Sequence, residues 1–290
     1  MGLFYFLFNK GGKASQNDQL LELVNVSDDI MIPRALANHW EAIQKTGLPS
    51  ISINAIAEDD LALEQSKFGH YPCIPEGFPY PTSADGSFLY PLAQINLGEF
   101  PDLEGFPASG YLQFYIATDD LYGVRFENLQ DQSSFRVLYF EEEEVENKRV
   151  DFSFLDPVLQ NEDMPVNTPH SLSFTAKMDY IGMCDFRREN NPHFNASSIG
   201  QLYPSLERGL RDILFEKFSC TGHKIGGYAY FTQNDPRSHN SVFQEYILLL
   251  QIDSDDEIMW GDMGVASFLI HPADLAKKDF SKVIYTWDCH

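Results

Sequence analysis

Lys67-Phe68-Gly69-His70-Tyr71 returns 157 residues later as Lys224-Ile225-Gly226-Gly227-Tyr228, a shared Lys-x-Gly-x-Tyr from which the correspondence runs outward. In the same register Pro79 meets Pro236, Leu92 meets Leu249, and Gln94-Ile95-Asn96 meets Gln251-Ile252-Asp253. After a three-residue deletion, Gly110, Phe114, Ile116, Asp120, Leu121 and Phe126 meet Gly264, Phe268, Ile270, Asp274, Leu275 and Phe280. These are thirteen identities over residues 67–95 and 110–126, where average composition gives about three by chance. They fall on Gly, Pro and strand-core positions, which a shared backbone demands. The pattern predicts a duplicated unit: a loop, a strand ending in Gln-Ile, a turn, and a second strand opened by Gly. One such unit leaves sheet edges and an apolar face uncovered, and two can cover each other.

Around these units the periodicity predicts two helices. Leu36, Trp40 and Ile43 make one apolar stripe over Pro33–Lys45, with Pro33 in the first turn and Gly47 and Pro49 ending it. Leu206, Leu210, Ile213 and Leu214 make a second, with Ser205 as its expected cap. Residues 51–55, 88–95, 111–117, 135–140, 171–176, 228–231, 246–252, 266–270 and 283–287 read as strands. Four prolines between Tyr71 and Pro81 predict an ordered loop. The expected fold is therefore α+β and sheet-dominated, with two internally repeated β units, each preceded by an amphipathic helix. The expected division is an N-terminal segment 1–60 with one helix, a first β repeat 61–155, a polar linker 156–170, and a second helix and β repeat 171–290, the two repeats packed as one globular unit.

The chain carries 43 Asp and Glu against 20 Lys and Arg, a net charge of −23. Such a surface repels phosphate, which argues against nucleic acid and anionic lipid as partners and favours a basic protein. Leu3–Phe8 is too short an apolar run for a signal peptide or a membrane span. A cytoplasmic setting is expected, with Cys73, Cys184, Cys220 and Cys289 as thiols. A zinc set of Cys220, His223, Cys289 and His290 would need distant ends to meet, so no metal or other cofactor is expected.

The strings from His223 to Pro236, from Leu248 to Leu275 and from Lys277 to Ser281 give the carboxyl half a specific signature. With Ser66–Pro75, Pro91–Pro101 and Ser109–Ile116 of the first half, it resembles the YwqG-like family of bacterial proteins over about residues 60–290. That resemblance implies a mixed, β-rich, internally repeated domain of unknown function and carries over no catalytic residue. Some members of that family are associated with toxin–immunity gene neighbourhoods, which implies a binding or neutralising role by analogy only.

No nucleophile elbow, zinc-protease, P-loop or dinucleotide motif is present. Asp253-Ser254-Asp255-Asp256-Glu257 looks like the start of a calcium loop, but Ile258 stands where the sharp-turn glycine belongs. Trp260-Gly261-Asp262 reads either as an aromatic ring beside an acceptor or as a turn in which Trp260 plugs the core and Asp262 bonds nearby amides, and His223 takes the place of Ser66 of the first unit. Lys67 and Lys224 recur in both units, which favours an architectural role. The candidate binding residues are thus His223, Asp253, Asp255, Asp256, Trp260 and Asp262, where the second unit departs from the first. The expected function is non-enzymatic: an acidic protein engaging a basic partner, immunity-like by analogy. The alternatives are an enzyme or a small-ligand or sugar-binding module, with a site around His223 and Asp253–Asp262. The run Glu141–Glu144 reads as a solvated edge.

Overall fold

The structure, a computed structural model, describes residues 16–27, 30–182, 185–190 and 205–290. The apolar run at 3–8 and Cys184 lie outside them. Five α-helices are described: α1 (Gln16–Leu21), α2 (Trp40–Gln44), α3 (Asp156–Leu159), α4 (Glu207–Phe218) and α5 (Pro272–Leu275). The strands are β1 (Leu23–Ser27), β2 (Ile30–Pro33), β3 (Leu48–Ala57), β4 (Lys67–Phe68), β5 (Tyr90–Asn96), β6 (Tyr111–Ile116), β7 (Phe135–Phe140), β8 (His170–Asp179), β9 (Lys224–Gly226), β10 (Ile247–Asp253), β11 (Val265–Ile270) and β12 (Ile284–Asp288). The fold is α+β and sheet-dominated: β1 and β2 form a hairpin, and the other ten strands form one antiparallel sheet in the order β12-β11-β10-β9-β3-β8-β4-β5-β6-β7.

The two longest strands, β3 and β8, pair along their full lengths, from Leu48 opposite Asp179 to Ala57 opposite His170. Each then hands over to the other half of the chain. β3 continues to β9, and β8 continues to β4. The segment 1–60 therefore supplies a strand to the carboxyl-terminal wing, and the segment that follows residue 169 supplies one to the amino-terminal wing. Residues 156–170, expected as the connection, bury Met164 and Val166 in the core.

The outer strands read as near-continuous apolar runs because both of their faces are covered. All six residues of β6 and of β11 are buried. The wings β4–β7 and β9–β12 face each other: Phe114 meets Phe268 with centroids 4.8 Å apart, and Phe135 meets Tyr285 at 5.2 Å. The Tyr285 amide donates to the Leu129 carbonyl between the wings at 2.9 Å. Burying aromatic surface on this scale is the main favourable term of the fold.

The two amphipathic helices share one satellite core. Leu36 and Ile43 of the first region pack with Leu210, Leu214 and Phe218 of α4, over Ile32 and Tyr228. The first region starts as a 3-10 turn, Arg34–His39, before α2. Ser205 makes no cap: the N-cap of α4 is Leu206, without a side-chain cap bond. Tyr228–Phe231 is not a strand, contrary to its aromatic alternation. Gly226 and Gly227 both have positive φ, 68° and 67°, and turn the chain out of the ladder after β9. Among the described residues no helix is long and apolar enough to cross a membrane.

Candidate functional site

The loop that follows β10 is built around its own acids. Asp253 is buried at the strand end and accepts the Gly222 amide at 2.6 Å and the Ser254 amide at 2.9 Å. Burial pushes its carboxyl above the ordinary value, against the pull of those two amides. Asp255 accepts from the Glu257 and Ile258 amides, each at 2.8 Å, and lies 3.0 Å from His223 Nε2. Partial burial works against its charge, yet the bonds from His223 and the two amides outweigh it and hold this carboxyl low.

His223 has no nitrogen to spare. Its Nδ1 accepts the Asp253 amide at 3.0 Å, so the ring proton sits on Nε2 and points to Asp255. In the first half, Ser66 Oγ accepts the Asn96 amide at 2.9 Å in the same way. His223 thus ties a strand end to a loop, an arrangement that leaves it no lone pair for general-base work.

Trp260 is fully buried, so it is not a surface platform. It sits edge-on to Tyr122, with centroids 5.7 Å apart, and beside Trp287 at 6.3 Å. Its amide donates to Ser254 Oγ at 2.9 Å, and its carbonyl accepts the Gly264 amide at 2.8 Å. Gly264 closes the loop against β12, where a side chain would collide with the carbonyls of Asp288 and Trp260. Asp256 and Asp262 remain exposed, as does Glu257.

Two further loops and the carboxyl terminus meet this plug. The Met259 amide donates to the Pro165 carbonyl at 2.9 Å, Trp287 Nε1 to the Leu121 carbonyl at 2.8 Å, and the His290 amide to the Asp262 carbonyl at 3.1 Å. The Tyr122 hydroxyl is pushed up by burial and then by nearby Asp163 and Asp120. The result is a face where Asp120, Glu162, Asp163, Asp256 and Asp262 are exposed and have no ion pair among the described residues. Interleaved with them are Leu121, Met259 and Met263, 43%, 44% and 51% exposed. Sequence reasoning missed the contributions of residues 120–121, which it read as repeat positions meeting Asp274 and Leu275, and of residues 162–163, which carry no motif; both reach the site only through tertiary packing.

No three His, Cys, Asp or Glu side chains among the described residues converge as a metal site would require. Cys73, Cys220 and Cys289 are in no disulfide. The Glu141–Glu144 run is partly structural: Glu144 accepts the Glu141 amide at 2.8 Å, and Glu141 pairs with Lys278.

The fold and this face describe a β-rich domain with an acidic, methionine-bearing confluence of loops. The chain belongs to the family described as domain of unknown function DUF1963, whose profile matches residues 66–289. No curated protein matches it.

Proposed function

We propose that this protein is a non-enzymatic binding protein whose partner is a basic, amphipathic protein segment, and that the confluence around Trp260 receives it. One observation carries the reading: five exposed acids with no ion pair among the described residues surround three exposed flexible apolar side chains. Carboxylates steer a Lys/Arg-rich segment, and methionine adapts to its apolar side. The net charge of −23 adds long-range attraction of the same sign. A cytoplasmic setting belongs to this proposal, as does the narrower YwqG-like kinship and an immunity-like role.

Duplication of the two halves is part of the same reading. What supports it is that matched positions make matched bonds, as Ser66 and His223 do. Most positions kept in both halves then answer to the backbone; Asp120 and Leu121, which meet Asp274 and Leu275, also border this face. The loop 254–264 differs from its counterpart 97–110, so it is free to serve a partner.

The test uses a synthetic Lys/Leu amphipathic helix as probe and its Glu/Leu counterpart as control. The Lys/Leu helix is expected to bind and to weaken steeply with salt. Joint Asp163→Asn, Asp256→Asn and Asp262→Asn should abolish binding. Joint Glu142→Gln, Glu143→Gln and Glu146→Gln, an equal loss of charge elsewhere, should not. Equal effects of the two triple variants would reduce the attraction to bulk charge and overturn the site.

A further inference from the structure

A concavity lies beside this confluence, in the amino-terminal wing beyond the end of β6. It has a volume of about 350 Å³ and lies between the hairpin at 83–87 and the loops at 117–125 and 133. We infer that this pocket binds a neutral, polyhydroxylated small molecule of monosaccharide size.

The walls are held before any ligand arrives. The Ser83 amide donates to the Ser87 carbonyl at 2.9 Å, and the Ala84 amide donates across to the Ser133 carbonyl at 2.9 Å. On one wall Asp85 accepts Ser83 Oγ at 2.5 Å and the Ser87 amide at 2.9 Å, bonds that hold its carboxyl below the ordinary value. On the other, Asp119 accepts the Gly123 amide at 2.7 Å with one oxygen and Arg125 at 3.1 Å with the other. Two fixed acceptors and a guanidinium therefore face one space. Thr118 adds a hydroxyl to the lining, and Phe88, 39% exposed, adds part of a ring. That ring is braced from behind by Tyr80 and Phe154, with centroids 5.8 and 4.8 Å away.

The chemistry selects the ligand class by elimination. Two carboxylates against one guanidinium disfavour a phosphate or carboxylate ligand. Arg125 at the wall disfavours an amine. A hydroxyl-rich neutral molecule satisfies both: its hydroxyls donate to Asp85 and Asp119 and accept from Arg125, while a C–H face covers Phe88. The volume falls at the lower end of small-ligand pockets, about 300–1,000 Å³. The 117–125 loop borders both sites, but none of the five acids of the acidic face lines this pocket, so either proposal can fail without the other.

Saturation-transfer NMR on the full chain tests it, with D-glucose, D-galactose and myo-inositol as neutral probes, and glucosamine and glucose 6-phosphate as charged ones. Transfer to the C–H protons of at least one neutral probe is expected, with weaker transfer to its charged relatives. Arg125→Gln should weaken binding about tenfold, the loss of one charge-assisted hydrogen bond. Phe88→Ala should abolish it with the melting temperature held. If Phe88→Ala lowers melting, Phe88→Leu, which keeps bulk beside Tyr80 and Phe154 but no ring, takes its place. No transfer to any neutral probe, preference for a charged one, or unchanged transfer in folded variants overturns the proposal.

Discussion

Gln94 and Gln251, 157 residues apart, each accept one backbone amide and donate to two backbone carbonyls. Gln94 Oε1 accepts the Cys73 amide at 2.7 Å, and its Nε2 donates to the carbonyls of Leu63 at 2.7 Å and Gln65 at 2.9 Å. Gln251 Oε1 accepts the Tyr230 amide at 2.8 Å, and its Nε2 donates to the carbonyls of Cys220 at 3.0 Å and Gly222 at 2.8 Å. Both amides are buried, so each knits a preceding loop onto its strand in place of water. Gln94→Leu and Gln251→Leu each leave one backbone amide and two carbonyls without that partner, and Gln94→Leu also removes the acceptor of Gln113 Nε2, 2.9 Å from Gln94 Oε1. Each is expected to cost about 3 kcal/mol in urea unfolding, because unsatisfied buried groups retain their desolvation cost. Costs that differ by more than about 1.5 kcal/mol would argue that the two networks are not energetic equivalents.

Asp255 and Asp256 are neighbours with opposite assignments. Asp255→Asn loses the charged bond to His223 and is expected to lower stability by about 1 kcal/mol, whereas exposed Asp256→Asn should stay within about 0.5 kcal/mol. The pH signatures of Asp255 and Asp253 follow from their shifts. The Asp255 carboxyl is lowered from 3.8, so its contribution is present above that value and is lost as pH falls through the folded one. The Asp253 carboxyl is raised, so its contribution runs the other way and is lost as pH rises from 3.8 through its folded value. Denaturant midpoints across the acid range should therefore move oppositely in Asp255→Asn and Asp253→Asn. Parallel curves would discard the assignment.

Lys67 gives an alkaline signature. Its ammonium is buried and donates to the carbonyls of Ala62 at 2.6 Å and Leu63 at 2.9 Å, whereas Lys224 pairs with Asp179. Burial lowers Lys67 from 10.5 to about 8, with Cys73, Glu64 and Glu99 opposing. Between those values the unfolded chain binds more protons, so stability rises with pH; below 8 the penalty is fully present. Above 10, buried Tyr80, Tyr115 and Tyr285 act in reverse, because their hydroxyls are held well above the value at which the unfolded chain ionises. Stability should thus climb by about 2 kcal/mol from pH 8 to 10 and then turn down. Lys67→Met should remove the climb. A climb that survives in Lys67→Met would assign it to another group.

The outer strands were legible because Gln94-Ile95 and Gln251-Ile252 lie in apolar runs whose length and flanking glycines suit a strand better than a helix. The central exchange was not legible. β3 and β8 show ordinary alternation, and no local feature tells β3 to meet β9 or β8 to meet β4. Trp260 was legible as either a recognition ring or a core plug, and the structure shows the plug; its cover, Tyr122 and Trp287 in distant segments, was not legible. Ser83, Asp85 and Ser87 of the 83–87 hairpin are common turn residues, and it is Thr118, Asp119, Arg125 and Ser133 arriving from elsewhere that make their loop a wall.

His170 opens β8 at the seam of the sheet, opposite Ala57 on one side and Phe68 on the other, and is 1% exposed. Neither ring nitrogen makes a hydrogen bond. Glu257 approaches Nε2 to 3.3 Å without hydrogen-bonding geometry, and its own side chain is 55% exposed. Water therefore competes for the carboxylate while the imidazole pays its desolvation alone, so the pair is a weak source of stability. His170→Leu removes two unsatisfied buried polar atoms at similar volume. It is expected to raise unfolding free energy by about 1 kcal/mol, with Glu257→Gln within about 0.5 kcal/mol of the parent. Urea unfolding of the two variants decides between the readings. If both destabilise and their effects are non-additive in the double variant, the His170–Glu257 contact is a true clamp on the 254–264 loop. If only His170→Leu destabilises, the imidazole is satisfied by a buried water at the seam.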